Sequence, residues 1–133
     1  MTLLVDTNVL IDVVQDDPDW ADWSISQLRA QSQLHELAIN PVIYAELSLS
    51  YSTLEAMEDA VARMRLRLHE PPRAALFLAA KAFAQYRRRG GNKAQVLPDF
   101  FIGAHAAVQR WPLLTRDAAR FATYFPTVEL ISP

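Results

Sequence analysis

Short apolar runs alternate along the chain with longer segments in which apolar residues recur at helical spacing. The runs are residues 3–5, 37–39, 113–114 and 128–131, and each is too short for a helix of its own. Between them, apolar residues return every three or four positions, as expected for one buried face of a helix. This alternation predicts an α/β fold with a mostly parallel central sheet flanked by helices.

Capping and breaking residues predict where the helices begin and end. Pro18 is expected near the first turn of a helix after Asp17, Asn40 is expected to cap the next helix, and residues 52–55 resemble a capping box. Gly90 and Gly91 should end the alanine-rich helix of residues 73–89. The remaining predictions are a loop at 92–97, a helix at 98–108 and a short helix from residue 117.

Composition indicates one globular domain over residues 1–133. The chain is 51% hydrophobic and 21% charged, which is ordinary for a folded domain. It has no cysteine, so any metal must bind to oxygen or imidazole, and a cytoplasmic location is expected. No export signal is recognisable, and the most apolar segment, residues 74–84, is too short to span a bilayer. A net charge of −2 limits nucleic-acid binding to local basic patches.

Two acids follow predicted strands directly. Asp6 comes directly after residues 3–5, and Asp117 follows the strand predicted at residues 113–115 after a single intervening residue, Arg116. Ligands of parallel sheets bind beyond the carboxyl ends of the strands, so both carboxylates are expected at one crevice. Helix capping explains either acid alone equally well, and it also explains Asp99, which follows Pro98.

Glu46 has no helix end to cap. It lies in the otherwise apolar stretch of residues 42–47, and a carboxylate buried there needs a compensating partner. A hard cation such as Mg²⁺ or Mn²⁺ binds carboxylate oxygens and reduces the repulsion between neighbouring acids. Such an ion would also bridge an acidic pocket to a phosphodiester.

Four segments resemble PIN-domain nucleases, and most of all the VapC-type toxins of bacterial toxin–antitoxin pairs. They are LVDTNVLID (4–12), NPVIYAEL (40–47), PDFFIGAHA (98–106) and LLTRDAARF (113–121). The order and spacing match across the chain, as far as Tyr124-Phe125-Pro126 before the last strand. One departure is Gly103, where related sequences often have alanine and where glycine is expected to loosen the helix slightly.

The resemblance implies a metal-dependent endoribonuclease. Its metal ligands, direct or through water, would be Asp6, Glu46, Asp99 and Asp117, with Mg²⁺ or Mn²⁺ as cofactor. Thr7, Asn8 and Thr115 would orient the carboxylates and waters. A metal-activated water would attack the RNA phosphodiester in line and leave a 5′-phosphate. The implied partners are RNA, a cognate antitoxin inserted in the acidic groove and a second copy of the chain in a homodimer, without a membrane.

Other polar residues are weaker candidates for a functional role. Arg87, Arg88 and Lys93 precede Asp99 and are predicted to guide the RNA backbone, although solvated side chains at a helix end explain them equally well. His105 is interpreted as a packing residue, because a metal-free histidine mechanism needs two converging imidazoles.

Three alternatives remain for comparison. A phosphatase of the haloacid dehalogenase type needs an aspartate two places after Asp6, where this chain has Asn8. A receiver domain needs adjacent acids after the first strand and a lysine after the last, and neither is present. The third is a PIN-like module that binds RNA or an antitoxin with little or no catalysis, against which the four acids argue.

Overall fold

Helices and strands alternate along the chain in the computed structural model, which describes residues 1–94 and 96–133. The α/β prediction is therefore confirmed. The strands are β1 (Thr2–Val5), β2 (Glu36–Ile39), β3 (Arg67–Leu68), β4 (Leu113–Leu114) and β5 (Leu130–Ile131). The helices are α1 (Thr7–Val14), α2 (Ala21–Ser32), α3 (Pro41–Ser48), α4 (Leu54–Arg63), α5 (Arg73–Arg88), α6 (Pro98–Gln109) and α7 (Ala119–Tyr124).

All five strands pair in parallel, in the order β3-β2-β1-β4-β5. Strand β1 is central, and its Leu3, Leu4 and Val5 are fully buried. A strand with helices over both faces of its sheet is apolar throughout instead of alternating, which explains the uninterrupted run read from the sequence.

The register between β1 and β4 positions the site. Val5 pairs with Leu114, and the backbone N–H of Asp6 donates to the carbonyl of Leu114 at 2.9 Å. The next residue on each strand is Asp6 and Thr115, so these two side chains meet at the carboxyl edge of the sheet. The crevice expected from the sequence lies at this edge.

The predicted cap of α3 is confirmed, whereas α4 is capped by Thr53, one residue after the Ser52 that a capping box over residues 52–55 requires. Asn40 accepts a hydrogen bond from the N–H of Ile43, and Thr53 accepts one from the N–H of Ala56. Helix α5 ends at Arg88, one residue before its predicted end, and Gly90 follows with φ +93°, a conformation that glycine adopts readily. No helix among the described residues is long and apolar enough to cross a membrane.

Three predicted boundaries were wrong. Helix α2 begins at Ala21 and not at Pro18, because the Asp17 carboxylate accepts from the N–H groups of Asp19 and Trp20 and holds a turn there. Helix α7 begins at Ala119 and not at residue 117, and β5 is confined to Leu130–Ile131. The loop before α6 is as predicted for its described residues, while Gln95 lies outside them.

Gly103 allows a close contact between α6 and the segment after α7. It is buried in α6, and a Cβ at this position would lie 2.3 Å from the ring of Phe125. Real side chains do not approach so closely, so alanine would force the ring away. The glycine is the residue that lets the segment after α7 pack onto α6.

Candidate functional site

The four predicted acids line one pocket at the carboxyl edge of the sheet. The cavity measures about 220 Å³ and is bordered by Asp6, Glu46, Asp99 and Asp117. Four different parts of the chain supply them: the end of β1, helix α3, the first turn of α6 and the loop after β4. Sequence reasoning therefore identified residues that the fold brings together from opposite ends of the chain.

Asp6 is the most enclosed of the four, with 5% of its surface exposed. Its Oδ1 accepts from the N–H of Thr7 and its Oδ2 from the hydroxyl of Thr115, both at 2.8 Å. Burial is the main reason that its pKa rises from 3.8 to about 7. The hydrogen bond from Thr115 opposes the rise, and the negative charges of Asp99 and Glu46 add to it.

Glu46 is half-buried, and its partner is a hydroxyl group. Its Oε1 accepts from Thr7 Oγ1 at 2.7 Å. The sequence predicted a compensating partner but pointed only to a cation. Thr7 thus contacts two of the acids, because its N–H donates to Asp6 and its hydroxyl to Glu46.

Asp99 and Asp117 form the more open side of the pocket. Arg120, on α7, contacts Asp99 with 3.4 Å between Nη1 and Oδ2. Burial raises the pKa of Asp99 above its usual value; the positive charge of Arg120 opposes this, and Asp117 adds to it. The Asp117 side chain is exposed, so a ligand can reach it from solvent.

The acids line one pocket without converging on a ready-made metal site. Among residues 1–94 and 96–133, no three acidic or histidine side chains lie close enough together to hold an ion as they stand. Their chemistry nevertheless fits a hard divalent cation, since every candidate ligand is a carboxylate oxygen. Asp6 points the same way, because it is buried and both of its hydrogen-bond donors are neutral.

The three predicted supporting residues have different contacts. Thr7 and Thr115 donate to acids of the pocket, and Thr115 also accepts from the N–H of Asp117 at 3.1 Å. Asn8 lines the pocket, but its Oδ1 accepts from the backbone N–H of Arg116 at 3.2 Å. It therefore holds the loop that carries Asp117, and its role in orienting carboxylates and waters stays a prediction.

Sequence reasoning missed an ion pair that fixes the same loop. Asp12, on α1, accepts two hydrogen bonds from the Arg116 guanidinium, at 2.9 and 3.0 Å, and one from Ser24 at 2.9 Å. The guanidinium also lies 5.3 Å from the ring centroid of Trp20. Arg116 directly precedes Asp117 in the sequence, and this adjacency could have suggested that Arg116 helps to position the site.

The predicted RNA-guiding residues lie outside the pocket lining. Arg87 and Arg88 are exposed in the last turn of α5, and Arg87 donates to the backbone carbonyl of Lys93 at 2.7 Å. Their role in RNA binding stays a prediction. His105 is fully buried, and its Nδ1 lies 3.2 Å from Nδ2 of Asn40, which fits a packing residue.

Comparisons with known proteins point to one family. A family model described as the PIN domain matches residues 3–124. The VapBC2 structure from Rickettsia felis bound to a promoter DNA fragment contains a chain 18% identical to this one, with a TM-score of 0.76 and coverage of 100% of this chain and 99% of that chain.

Two further solved structures have similar chains. The VapBC-1 structure from nontypeable Haemophilus influenzae gives a TM-score of 0.75 at 17% identity, covering 99% and 98% of the two chains. A toxin–antitoxin complex from Klebsiella pneumoniae gives 0.67 at 21% identity, covering 95% and 94%. At these identities the similarity establishes a shared fold. No curated protein sequence gives a significant match.

Proposed function

The chain belongs to the PIN domain family, and on that premise we propose that it is a metal-dependent endoribonuclease and the toxin of a type II toxin–antitoxin system. Its substrate would be the phosphodiester bond of RNA, and its cofactor Mg²⁺ or Mn²⁺. An RNA substrate fits the cytoplasmic location expected from the sequence.

The observation that carries this proposal is the pocket of four acids around the buried Asp6. Two short hydrogen bonds compensate this carboxylate, and its burial, with a smaller contribution from the charges of Asp99 and Glu46, raises its pKa to about 7. A buried carboxylate in such surroundings is stabilised by a cation, and perturbed acids cluster at functional sites. A divalent ion would replace the proton that Asp6 otherwise retains.

Each residue of the pocket has a proposed role in metal binding or in supporting it. Asp6, Glu46, Asp99 and Asp117 would hold the ion, directly or through water, after rotation of the side chains that Thr7 and Arg120 now contact. A bound divalent cation supplies an activated water and neutralises negative charge on the phosphate. Thr115 would favour the ionised form of Asp6, since its hydroxyl donates to that carboxylate.

The toxin role rests on the structural neighbours. The similar chains belong to VapBC complexes from Rickettsia felis and Haemophilus influenzae and to a toxin–antitoxin complex from Klebsiella pneumoniae. By that similarity we propose a cognate antitoxin as partner. A homodimer is the assembly proposed for the free toxin, and light scattering of the purified protein measures it.

RNA cleavage by the purified protein tests the proposal. We expect cleavage of single-stranded RNA in Mg²⁺ with 5′-phosphate ends on the fragments, and complete loss in EDTA. Asp6→Asn should lower the rate at least about a hundredfold, because it removes the central ligand charge from a site that must stabilise a phosphoryl transition state.

Asp22→Asn is the matched control, since Asp22 is exposed on α2 and does not line the pocket. It should cleave at the wild-type rate. Cleavage that survives both EDTA and Asp6→Asn would contradict the metal–carboxylate mechanism. Mg²⁺ binding without cleavage of any RNA would favour the alternative, a PIN-like binding module.

A further inference from the structure

A second cavity opens beside the four-acid pocket and shares two of its acids. This recess, of about 470 Å³, is lined by Tyr86, Arg120, Thr123 and Tyr124 together with Asp99 and Asp117. Its volume lies within the range of about 300–1,000 Å³ that is usual for small-ligand sites. A group bound here would lie next to any phosphate held at the acids.

Two aromatic rings and the Arg120 guanidinium line the recess. The ring centroids of Tyr86 and Tyr124 lie 6.2 Å apart, and each also packs 5.5 Å from Phe100. Arg120 lies 5.4 Å from the Tyr86 centroid, and Arg89 lies 5.4 Å from that of Tyr124. Because the two rings pack against a core residue, their positions are fixed before a ligand arrives.

This combination matches the chemistry of an unpaired nucleotide. Nucleobases stack on tyrosine rings and on arginine planes, and single-stranded RNA is bound by such platforms together with basic residues that contact the backbone. The chain has a net charge of −2, so attraction of RNA to an acidic pocket depends on local cations. Arg120 supplies one beside Asp99, and Arg89 supplies another against the Tyr124 ring.

Arg120 connects the two cavities. Its guanidinium contacts the Asp99 carboxylate in the four-acid pocket and stacks over Tyr86 in the recess. If Asp99 held a metal ion instead, this guanidinium would lose its carboxylate partner. It could then donate to a phosphate or to a base edge, as arginine commonly does.

We propose that the recess binds the nucleotide next to the scissile phosphate of single-stranded RNA, with the base against Tyr86 and Tyr124 and with Arg120 on the adjoining phosphate. The assignment of the phosphate as scissile rests on the proposed nuclease function. Duplex RNA is not a ligand of this site, because its stacked bases cannot reach the rings.

Photo-crosslinking tests this placement directly. The probe is a single-stranded RNA dodecamer of mixed sequence containing 4-thiouridine, bound to the full-length protein in Ca²⁺, a hard cation for carboxylate sites. Trypsin separates Tyr86 (peptide 82–87) and Tyr124 (peptide 121–133) from all four acids. We expect crosslinks in these two peptides, and few when the RNA is annealed to its complement.

The chain offers an internal control on the same helix. Phe77, in peptide 74–81, is an exposed aromatic residue of α5 that does not line the recess. Tyr124→Leu should lower the crosslink yield at least about fivefold, as expected for loss of a stacking ring. Tyr124→Phe and Phe77→Leu should both retain the wild-type yield.

The outcomes separate the two proposals. Crosslinks in peptides 82–87 and 121–133 without cleavage of RNA in Mg²⁺ would support the recess and overturn the nuclease. Cleavage in Mg²⁺ with crosslinks only elsewhere in the chain would overturn the recess and leave the nuclease intact. A yield that Tyr124→Leu does not change would also overturn it.

Discussion

Asp6, just before α1, and Asp12, on α1, are both buried, but they differ in the charge of their hydrogen-bond partners. Asp12 is 2% exposed and is paired with the Arg116 guanidinium through two hydrogen bonds, with Ser24 as a third donor. Asp6 is 5% exposed and receives two hydrogen bonds, none of them from a cation. Burial is thus the same in both cases, and charge compensation differs.

This difference separates an acid with a structural partner, Asp12, from a candidate metal ligand, Asp6. At Asp12 the protein itself supplies the countercharge, and the ion pair holds the segment next to Asp117. At Asp6 the nearest charges are those of other acids, and its pKa rises to about 7. An enclosed acid whose countercharge is missing is a candidate ligand, since buried charges are otherwise paired.

Replacing Asp6 should give the largest effect on stability. In the metal-free protein, the stability contributed by protonated Asp6 is fully present below pH 3.8 and is lost as the pH rises through about 7. At ~1.4 kcal/mol per pKa unit, the total loss is about 4 kcal/mol. Asp6→Asn cannot ionise, so in EDTA its free energy of unfolding should exceed that of the wild type increasingly from pH 4 to 7.

Urea denaturation in EDTA at pH 5 and pH 8 measures this. The advantage of Asp6→Asn should be larger at pH 8, and Mg²⁺ should stabilise the wild type while leaving the variant unchanged. If the free energies of unfolding of Asp6→Asn and the wild type differed by the same amount at both pH values, Asp6 would not be an uncompensated buried acid, and its contrast with Asp12 would be wrong.

Replacing Asp12 should have the opposite sign and a smaller size. Asp12→Asn leaves the Arg116 guanidinium without its partner, and we expect the free energy of unfolding to fall by about 2–3 kcal/mol. The loss lies below that of a fully buried pair because 31% of the Arg116 side chain is exposed to solvent. Denaturation in EDTA at pH 7 measures it, and Mg²⁺ should not restore the loss.

Ser24→Ala is the control for this substitution. It removes one neutral donor to Asp12 and leaves the ion pair in place, so it should cost about 1 kcal/mol. Equal losses for the two variants would show that the ion pair with Arg116 contributes little.

The sequence predicted the parts of the site that depend on local rules. Asp6 and Asp117 were found because acids after parallel strands meet at one edge of the sheet, and Glu46 because an acid in an apolar stretch needs a partner. The helix cap at Asn40 follows from residue type and position alone, and the start of α4 was predicted to within one residue.

The contacts that escaped prediction join distant segments. Asp12 and Arg116 are 104 positions apart, and each is of a type usually found on the surface. The need for Gly103 comes from the Phe125 ring, whose position is set by packing after α7. Neither partner is visible in a sequence window, because tertiary packing alone brings them together.

Replacing Thr115 provides the test with the smallest expected effect on the contrast between Asp6 and Asp12. Its hydroxyl donates to the Asp6 carboxylate and accepts from the N–H of Asp117, so it favours the ionised form of Asp6 that a cation needs. Thr115→Val keeps the shape and removes the hydroxyl, and the affinity for Mn²⁺ measured by calorimetry at pH 7.5 should fall about tenfold. Thr115→Ser should bind Mn²⁺ like the wild type. If valine and serine at this position gave the same affinity, the hydroxyl would not be what prepares Asp6 for a metal ion, and the distinction between the two aspartates would rest on Arg116 alone.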